Sequence, residues 1–313
     1  MKKILKIIVI NTILIFVISM AFSLEINNKS LQRKCQFLKE TYGELAVVIT
    51  NPQNGNINFI YNKNMLFNRR YCPGSLLKPF TILTVSQNNK INTEEKYTCP
   101  GYQDPEDVGC WLGVGHNELN LYGAISKSCN YYFYKFVENK LQKKDYFELM
   151  SRLNLVKNIN YDKITNKEFY KAAIGLDVLI QTKPIDVIFA YNCLFNDGKL
   201  FDSTQNFVTN IDFNDYVLEI IRMGMHEGYL YGTSKTIYEK TKLPDLIVKT
   251  GTGAGTKYGL YDWTKNVGWV MILSPSQNPT FSMLVIVEKS KSSTACEVAG
   301  EIINFLLKKY NTN

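Results

Sequence analysis

A serine hydroxyl is a poor nucleophile at neutral pH unless a base stands beside it, so hydroxyls spaced to meet an amine are where chemistry would begin. Pro73-Gly74-Ser75-Leu76-Leu77-Lys78-Pro79 supplies such a pair, with Ser75 and Lys78 three residues apart on one face of a helix that opens here. A serine in the first turn also meets the positive end of the helix dipole, which favours charge developing on a substrate. Ser128-Cys129-Asn130 follows 53 residues after Ser75, and Lys249-Thr250-Gly251-Thr252-Gly253 follows 121 residues after Ser128. Singly these strings are weak. A Ser-x-x-Lys arises about once by chance in a chain of this size, Ser-x-Asn also reads as a cap or turn, and Lys-Thr-Gly also reads as a strand end. A Ser-His-Asp triad has less support, because the chain holds only His116 and His226 and no Gly-x-Ser-x-Gly. A lysine base is the economical reading.

The surrounding pattern says what must position these residues. Leu45–Thr50 and Ile57–Tyr61 read as strands joined by a turn at Asn51-Pro52-Gln53-Asn54-Gly55. Helical periodicity dominates roughly 74–230, with stretches at Leu76–Gln87, Leu121–Leu141 and Pro184–Asn196. The chain then returns to strands at Leu246–Gly251, Val267–Ser274 and Phe281–Glu288 and closes on a helix from Ala295 to Lys308. This order predicts a mixed α/β (α+β) fold. An antiparallel sheet of about five strands, built from both chain ends and flanked by helices, would carry a mostly helical lobe, with the site in the cleft between them.

Taken in order and in these contexts, the three strings form the set shared by penicillin-binding proteins and serine β-lactamases. The sequence resembles the transpeptidase domain of penicillin-binding proteins from about Glu44 to Glu301. Pro73 and Pro79 flank the first motif as in the cell-wall transpeptidases, and Gly115-His116 precedes Ser128-Cys129-Asn130-Tyr131-Tyr132-Phe133-Tyr134 as in their second. Ala173-Ile174-Gly175 to Thr182-Lys183-Pro184, Asn196-Asp197-Gly198 and Gly232-Thr233-Ser234 are similar to strings found between their second and third motifs. Two positions depart. Gly253 stands where Ala or Ser is usual, and Ile272 where a glycine is common, which bears on the width of the cleft beside the third strand.

The resemblance implies a β-lactamase/transpeptidase-like fold and an acyl-enzyme on Ser75, made from D-Ala-D-Ala stem peptides of peptidoglycan or from β-lactams. Lys78 would be the base, Ser128 a proton relay, and Asn130 the holder of a substrate amide. Lys249, Thr250 and Thr252 would bind the terminal carboxylate, and Gly251 would leave the strand edge bare for an extended peptide. Backbone N–H groups of Ser75 and Thr252 would form the oxyanion hole. No cofactor is expected, and other wall-synthesis proteins are candidate partners. Three alternatives stay open: a β-lactamase, although Glu148 with Leu153-Asn154 lacks the class A spacing; a D,D-carboxypeptidase or endopeptidase; and a β-lactam sensor or scaffold that is acylated without turnover.

Compartment and partners follow from the rest of the chain. Met1-Lys2-Lys3, an apolar run from Ile7 to Phe22 and the small residues at Ala21-Phe22-Ser23 predict export, with residues 1–23 a signal peptide or membrane anchor. Residues 24–43 read as a lead-in helix, leaving no room for another N-terminal domain, and 44–313 as the transpeptidase-like domain. The periplasm or the outer face of the cytoplasmic membrane is the expected location. Of the net charge of +8, three lysines (Lys2, Lys3, Lys6) belong to the N-terminal segment, so the body is too mildly basic to imply nucleic acid. In an exported protein, Cys99 and Cys110 are the expected disulfide, across a short loop rich in Gly, Pro and Asp. Cys72 and Cys129 are expected as buried thiols and His116 as a residue that holds its loop together. Zinc is not expected, because no Cys-x-x-Cys or His-x-x-x-His spacing occurs.

Overall fold

The computed structural model describes residues 28–310 apart from 105, 106, 158, 258 and 259. The expected export segment, 1–23, lies outside the described residues; most of the lead-in forms the helix Asn28–Tyr42. No helix among the described residues is long and apolar enough to cross a membrane.

The described residues form nine strands: β1 (Leu45–Thr50), β2 (Ile57–Tyr61), β3 (Tyr97–Cys99), β4 (Asn117–Leu119), β5 (Lys199–Phe201), β6 (Phe207–Asn210), β7 (Ile247–Lys257), β8 (Leu260–Ser274) and β9 (Phe281–Glu288). Five of them form the main sheet in the order β2-β1-β9-β8-β7. Every pairing in it is antiparallel, with β1 on β9 (Val47 opposite Val285) joining the front of the chain to the back. The mixed fold, and a five-stranded sheet drawn from both chain ends, are as the sequence predicts.

The apolar runs in β1, β8 and β9 bury both faces of the sheet, and side chains alternate between two cores. Leu45, Val47, Ile49, Val270, Ile272, Met283 and Val285 point toward the helices Asn28–Tyr42 and Ser292–Tyr310. Ala46, Val48, Trp269, Met271, Leu284 and Ile286 point toward the helical middle of the chain. Within it the helix Pro184–Leu194, mostly apolar apart from Asp186 and Asn192, is buried along its whole length and packs against β9, β5 and the short helix Lys63–Phe67.

Two expectations need correction. The single helical stretch Leu121–Leu141 is two helices, Leu121–Lys127 and Asn130–Val137, because Ser128 takes a left-handed conformation (φ 52°) and Cys129 caps the second helix. In addition, β7 and β8 run well past Gly251 and begin well before Val267, pairing Gly255 with Asp262 and Lys257 with Leu260 after an irregularity between Gly253 and Gly255. The polar, glycine-rich composition there hides an extension that leaves the packed sheet.

Candidate active site

Ser75 lies in a turn of 3-10 helix, Gly74–Leu77, that leads directly into the helix Lys78–Asn88. This turn is pressed against β7 backbone to backbone. A methyl group on Gly74, whose φ is +60°, would come within 2.4 Å of the Thr252 carbonyl oxygen, and one on Gly251 within 2.4 Å of the Pro73 carbonyl oxygen. Gly251 thus serves the close approach of the turn that carries Ser75, and β7 is the last strand of the sheet. Gly253 is bound by the same packing, since a methyl group there would lie 1.7 Å from the Cys72 carbonyl oxygen. The departure from the usual Ala or Ser thus narrows the gap between β7 and the segment that carries Ser75.

Lys78 is fully buried. Its Nζ donates to the Ser128 carbonyl and to Asn130 Oδ1, each at 2.8 Å, and reaches Ser128 Oγ at 3.4 Å. A neutral amine has two N–H groups and one lone pair, and two short acceptors match the two donors, leaving the lone pair for a proton. Burial favours that neutral form and brings the Lys78 pKa down to about 8. The Phe133 ring lies 5.1 Å from Nζ and helps to close the site to water.

The left-handed turn at Ser128 is what aims its groups. Lys249, also buried, donates from Nζ to Ser128 Oγ at 2.9 Å and to the Thr250 carbonyl at 2.9 Å. Burial first, and the nearby Lys78 second, hold its pKa well below the usual lysine range. Thr250 and Thr233 share a hydroxyl hydrogen bond at 2.7 Å, and Asn130 is braced by its Nδ2 donating to the Gly109 carbonyl at 3.1 Å.

The structure thus brings the sequence-derived candidates into one place. Ser75, Ser128, Asn130, Thr250, Gly251 and Thr252 line a cavity of about 620 Å³, while Lys78 and Lys249 lie buried behind Ser128. Sequence reasoning missed several lining residues: Trp111, Asn266, Lys291 and Ser292 among them. Ser292 opens the last helix, and its backbone N–H donates to Thr252 Oγ1 at 3.0 Å. Trp111 is exposed and ties its indole N–H to the Lys127 carbonyl at 2.9 Å. Among the described residues, no Asp or Glu lines the cavity, and Glu148 is exposed on the helix Lys143–Arg152.

Behind Asn130 the expected disulfide is not formed, for Cys99 and Cys110 are free buried thiols. They face a third thiol and an imidazole: donor atoms of Cys99, Cys110, His116 and Cys129 all lie within 4.8 Å of one another. This set could hold a metal ion, although the sequence shows no familiar metal-binding spacing. The topology makes the cluster, with β3 and β4 pairing Cys99 opposite Asn117 and so bringing His116 beside it.

Residues 45–308 match the family model described as the penicillin binding protein transpeptidase domain. No curated protein matches. Among solved structures, a penicillin-binding protein (PBP2) from Helicobacter pylori is similar with a TM-score of 0.73 at 18% identity, covering 90% of this chain and 63% of that one. The same protein in complex with MreC gives 0.72 at 19%, with the same coverage. The apo transpeptidase domain of Burkholderia pseudomallei penicillin-binding protein 3 gives 0.69 at 16%, covering 90% of this chain and 93% of that one. At these identities the likeness is one of fold. This chain spans 63% of the length of the Helicobacter protein.

Proposed function

The chain belongs to the penicillin-binding protein transpeptidase family, and from that premise we propose that it is a D,D-transpeptidase that acylates Ser75 with D-Ala-D-Ala stem peptides of peptidoglycan. The observation that carries the reading is the double hold on Ser128, whose Oγ lies 2.9 Å from Lys249 Nζ and 3.4 Å from Lys78 Nζ. Two buried amines and a hydroxyl form a proton path with no histidine or carboxylate in it.

In this reading Lys78 takes the Ser75 proton as Ser75 Oγ adds to the carbonyl between the two D-alanines. Backbone N–H groups of Ser75 and Thr252 hold the oxyanion, and one such donor typically contributes about 3 kcal/mol to the transition state. The proton then passes from Lys78 through Ser128 to the departing D-alanine amine, which completes acylation. Lys249, Thr250 and Thr252 receive the terminal carboxylate, and the free edge of β7 receives the extended stem peptide. An amine from a second stem peptide finally displaces Ser75.

β-Lactams would acylate the same hydroxyl. Export to the periplasm or the outer face of the cytoplasmic membrane follows from the substrate and from the residues of 1–23, and the MreC complex of the Helicobacter protein favours wall-synthesis partners. The test is to incubate the exported protein with a D-Ala-D-Ala pentapeptide and an acceptor amine. Release of D-alanine with formation of the cross-linked peptide is the expected result. Release with water as the sole acceptor would make the protein a carboxypeptidase.

A further inference from the structure

Cys99 ends β3, Cys110 lies in the following loop, His116 directly precedes β4, and Cys129 stands between Ser128 and Asn130. All three cysteines are buried, and no carboxylate belongs to the cluster. Cys110 Sγ is 3.3 Å from His116 Nδ1 and 3.9 Å from Cys129 Sγ. Tetrahedral zinc, with bonds of about 2.3 Å to sulfur and 2.0–2.1 Å to nitrogen, sets its ligand atoms about 3.5–3.8 Å apart. The cluster therefore has nearly the size of a zinc shell before any ion enters it. Three thiols and an imidazole also suit zinc over the oxygen-seeking magnesium and calcium ions.

The described backbone beside the cluster is closely packed. Tyr102 donates its backbone N–H to the Gly113 carbonyl at 2.9 Å, and a methyl group on Gly115 (φ +79°) would strike the Cys99 carbonyl oxygen at 2.0 Å. Within this closed loop His116 Nε2 is buried with no partner, and the ring packs edge-on against Trp111. The ligand atom for an ion among the thiols is Nδ1, which faces Cys110 Sγ at 3.3 Å, and Nε2 would keep its proton on the other side of the ring.

We propose that Cys99, Cys110, His116 and Cys129 bind one zinc ion, which by holding Cys129 fixes Ser128 and Asn130 against Lys78 and keeps the thiols from pairing. The alternative chemistry of the same atoms is oxidation. Cys110 and Cys129 would each lose a proton and together give two electrons to a disulfide such as oxidised glutathione, which leaves as two thiols. The new bond needs the sulfurs about 2.05 Å apart, so they must close from 3.9 Å. Movement of Cys129 carries both partners of Lys78 with it. A misplacement of this order costs about 10²-fold in rate.

The metal part stands apart from the proposed function; the kinetic part rests on it. Exported protein purified without chelator is to be measured for zinc, for free thiols and for the rate of penicillin acylation. About one zinc per chain is expected. Cobalt in its place should give thiolate-to-metal charge-transfer absorption, whose intensity falls by about one third for one thiolate fewer in both Cys110→Ser and Cys110→His, while the ligand-preserving Cys110→His holds the metal more tightly than Cys110→Ser. Stripping zinc and adding oxidised glutathione should form the Cys110–Cys129 disulfide and slow acylation about 10²-fold, with reductant and zinc restoring it, while the loaded protein resists. Protein without zinc that carries a Cys99–Cys110 disulfide overturns the site. Zinc-loaded and zinc-stripped protein acylating at equal rates under both redox conditions overturns the positioning role. Failure of every form to react with penicillin, with zinc bound, would count against the serine acyltransferase reading and against the kinetic part, and would leave the site standing.

Discussion

Lys249 Nζ donates to Ser128 Oγ at 2.9 Å, although 121 residues separate them and they arrive from opposite sides of the cleft. Ser128 comes from a left-handed break between two helices, and Lys249 from the edge strand of the sheet. The contact joins the helical lobe to the sheet at the cavity floor. Ser128→Ala should slow acylation by about 10²–10³-fold through loss of the relay. It also leaves the buried Lys249 amine one acceptor short, at a cost of about 1–3 kcal/mol. Acylation kinetics and thermal melting check both numbers, and a variant with native kinetics would remove Ser128 from the proton path.

The acylation rate should depend on pH through Lys78. Burial lowers its pKa to about 8. A protonated amine cannot accept the Ser75 proton, so the rate should climb as pH rises toward about 8 and level off above it. Lys78→Arg, which stays protonated across this range, should abolish the reaction. Stopped-flow acylation with a fluorescent penicillin between pH 6 and 9.5 measures the profile. A flat profile would mean that the proton goes elsewhere.

Gly253→Ala should be disruptive here, although alanine is common at this position in the resembling transpeptidases. Its methyl group would meet the backbone oxygen of Cys72 at 1.7 Å, so β7 and the segment before Ser75 must separate. The expected cost is about 1–3 kcal/mol, with slower acylation because the Thr252 N–H and Ser75 move apart. A melting temperature and an acylation rate equal to the native values would contradict this packing.

The penicilloyl-enzyme should persist for minutes or longer. Hydrolysis needs an activated water, and no carboxylate among the described residues lines the cavity. General-base help is typically worth about 10²–10⁴-fold, so deacylation without it should be slower than in a β-lactamase by about that factor. Release of labelled penicillin after removal of excess drug gives the rate; several turnovers per second would make the protein a β-lactamase.

Much of this was legible in the sequence, for identifiable reasons. Short, mostly apolar runs rich in β-branched residues and bounded by turn residues, such as Leu45–Thr50 and Phe281–Glu288, read as strands buried on both faces. The three motif strings carried the site because their chemistry is local to a few residues each. The break at Ser128 was hidden, since a left-handed serine leaves no Gly or Pro as a signal. The packing reason for Gly253 was hidden because its neighbour, Cys72, is 181 residues away in sequence. The thiol cluster escaped for the same reason: its spacing follows from the pairing of β3 with β4, and a two-cysteine disulfide was the nearer pattern.

Everything proposed for the site depends on Ser75 being the acylated residue. The direct measurement is intact mass followed by peptide mapping of the protein after brief exposure to penicillin. One penicilloyl adduct per chain is expected, on the peptide that contains Ser75, and none in Ser75→Ala. An adduct on another residue, or one that survives in Ser75→Ala, would contradict it.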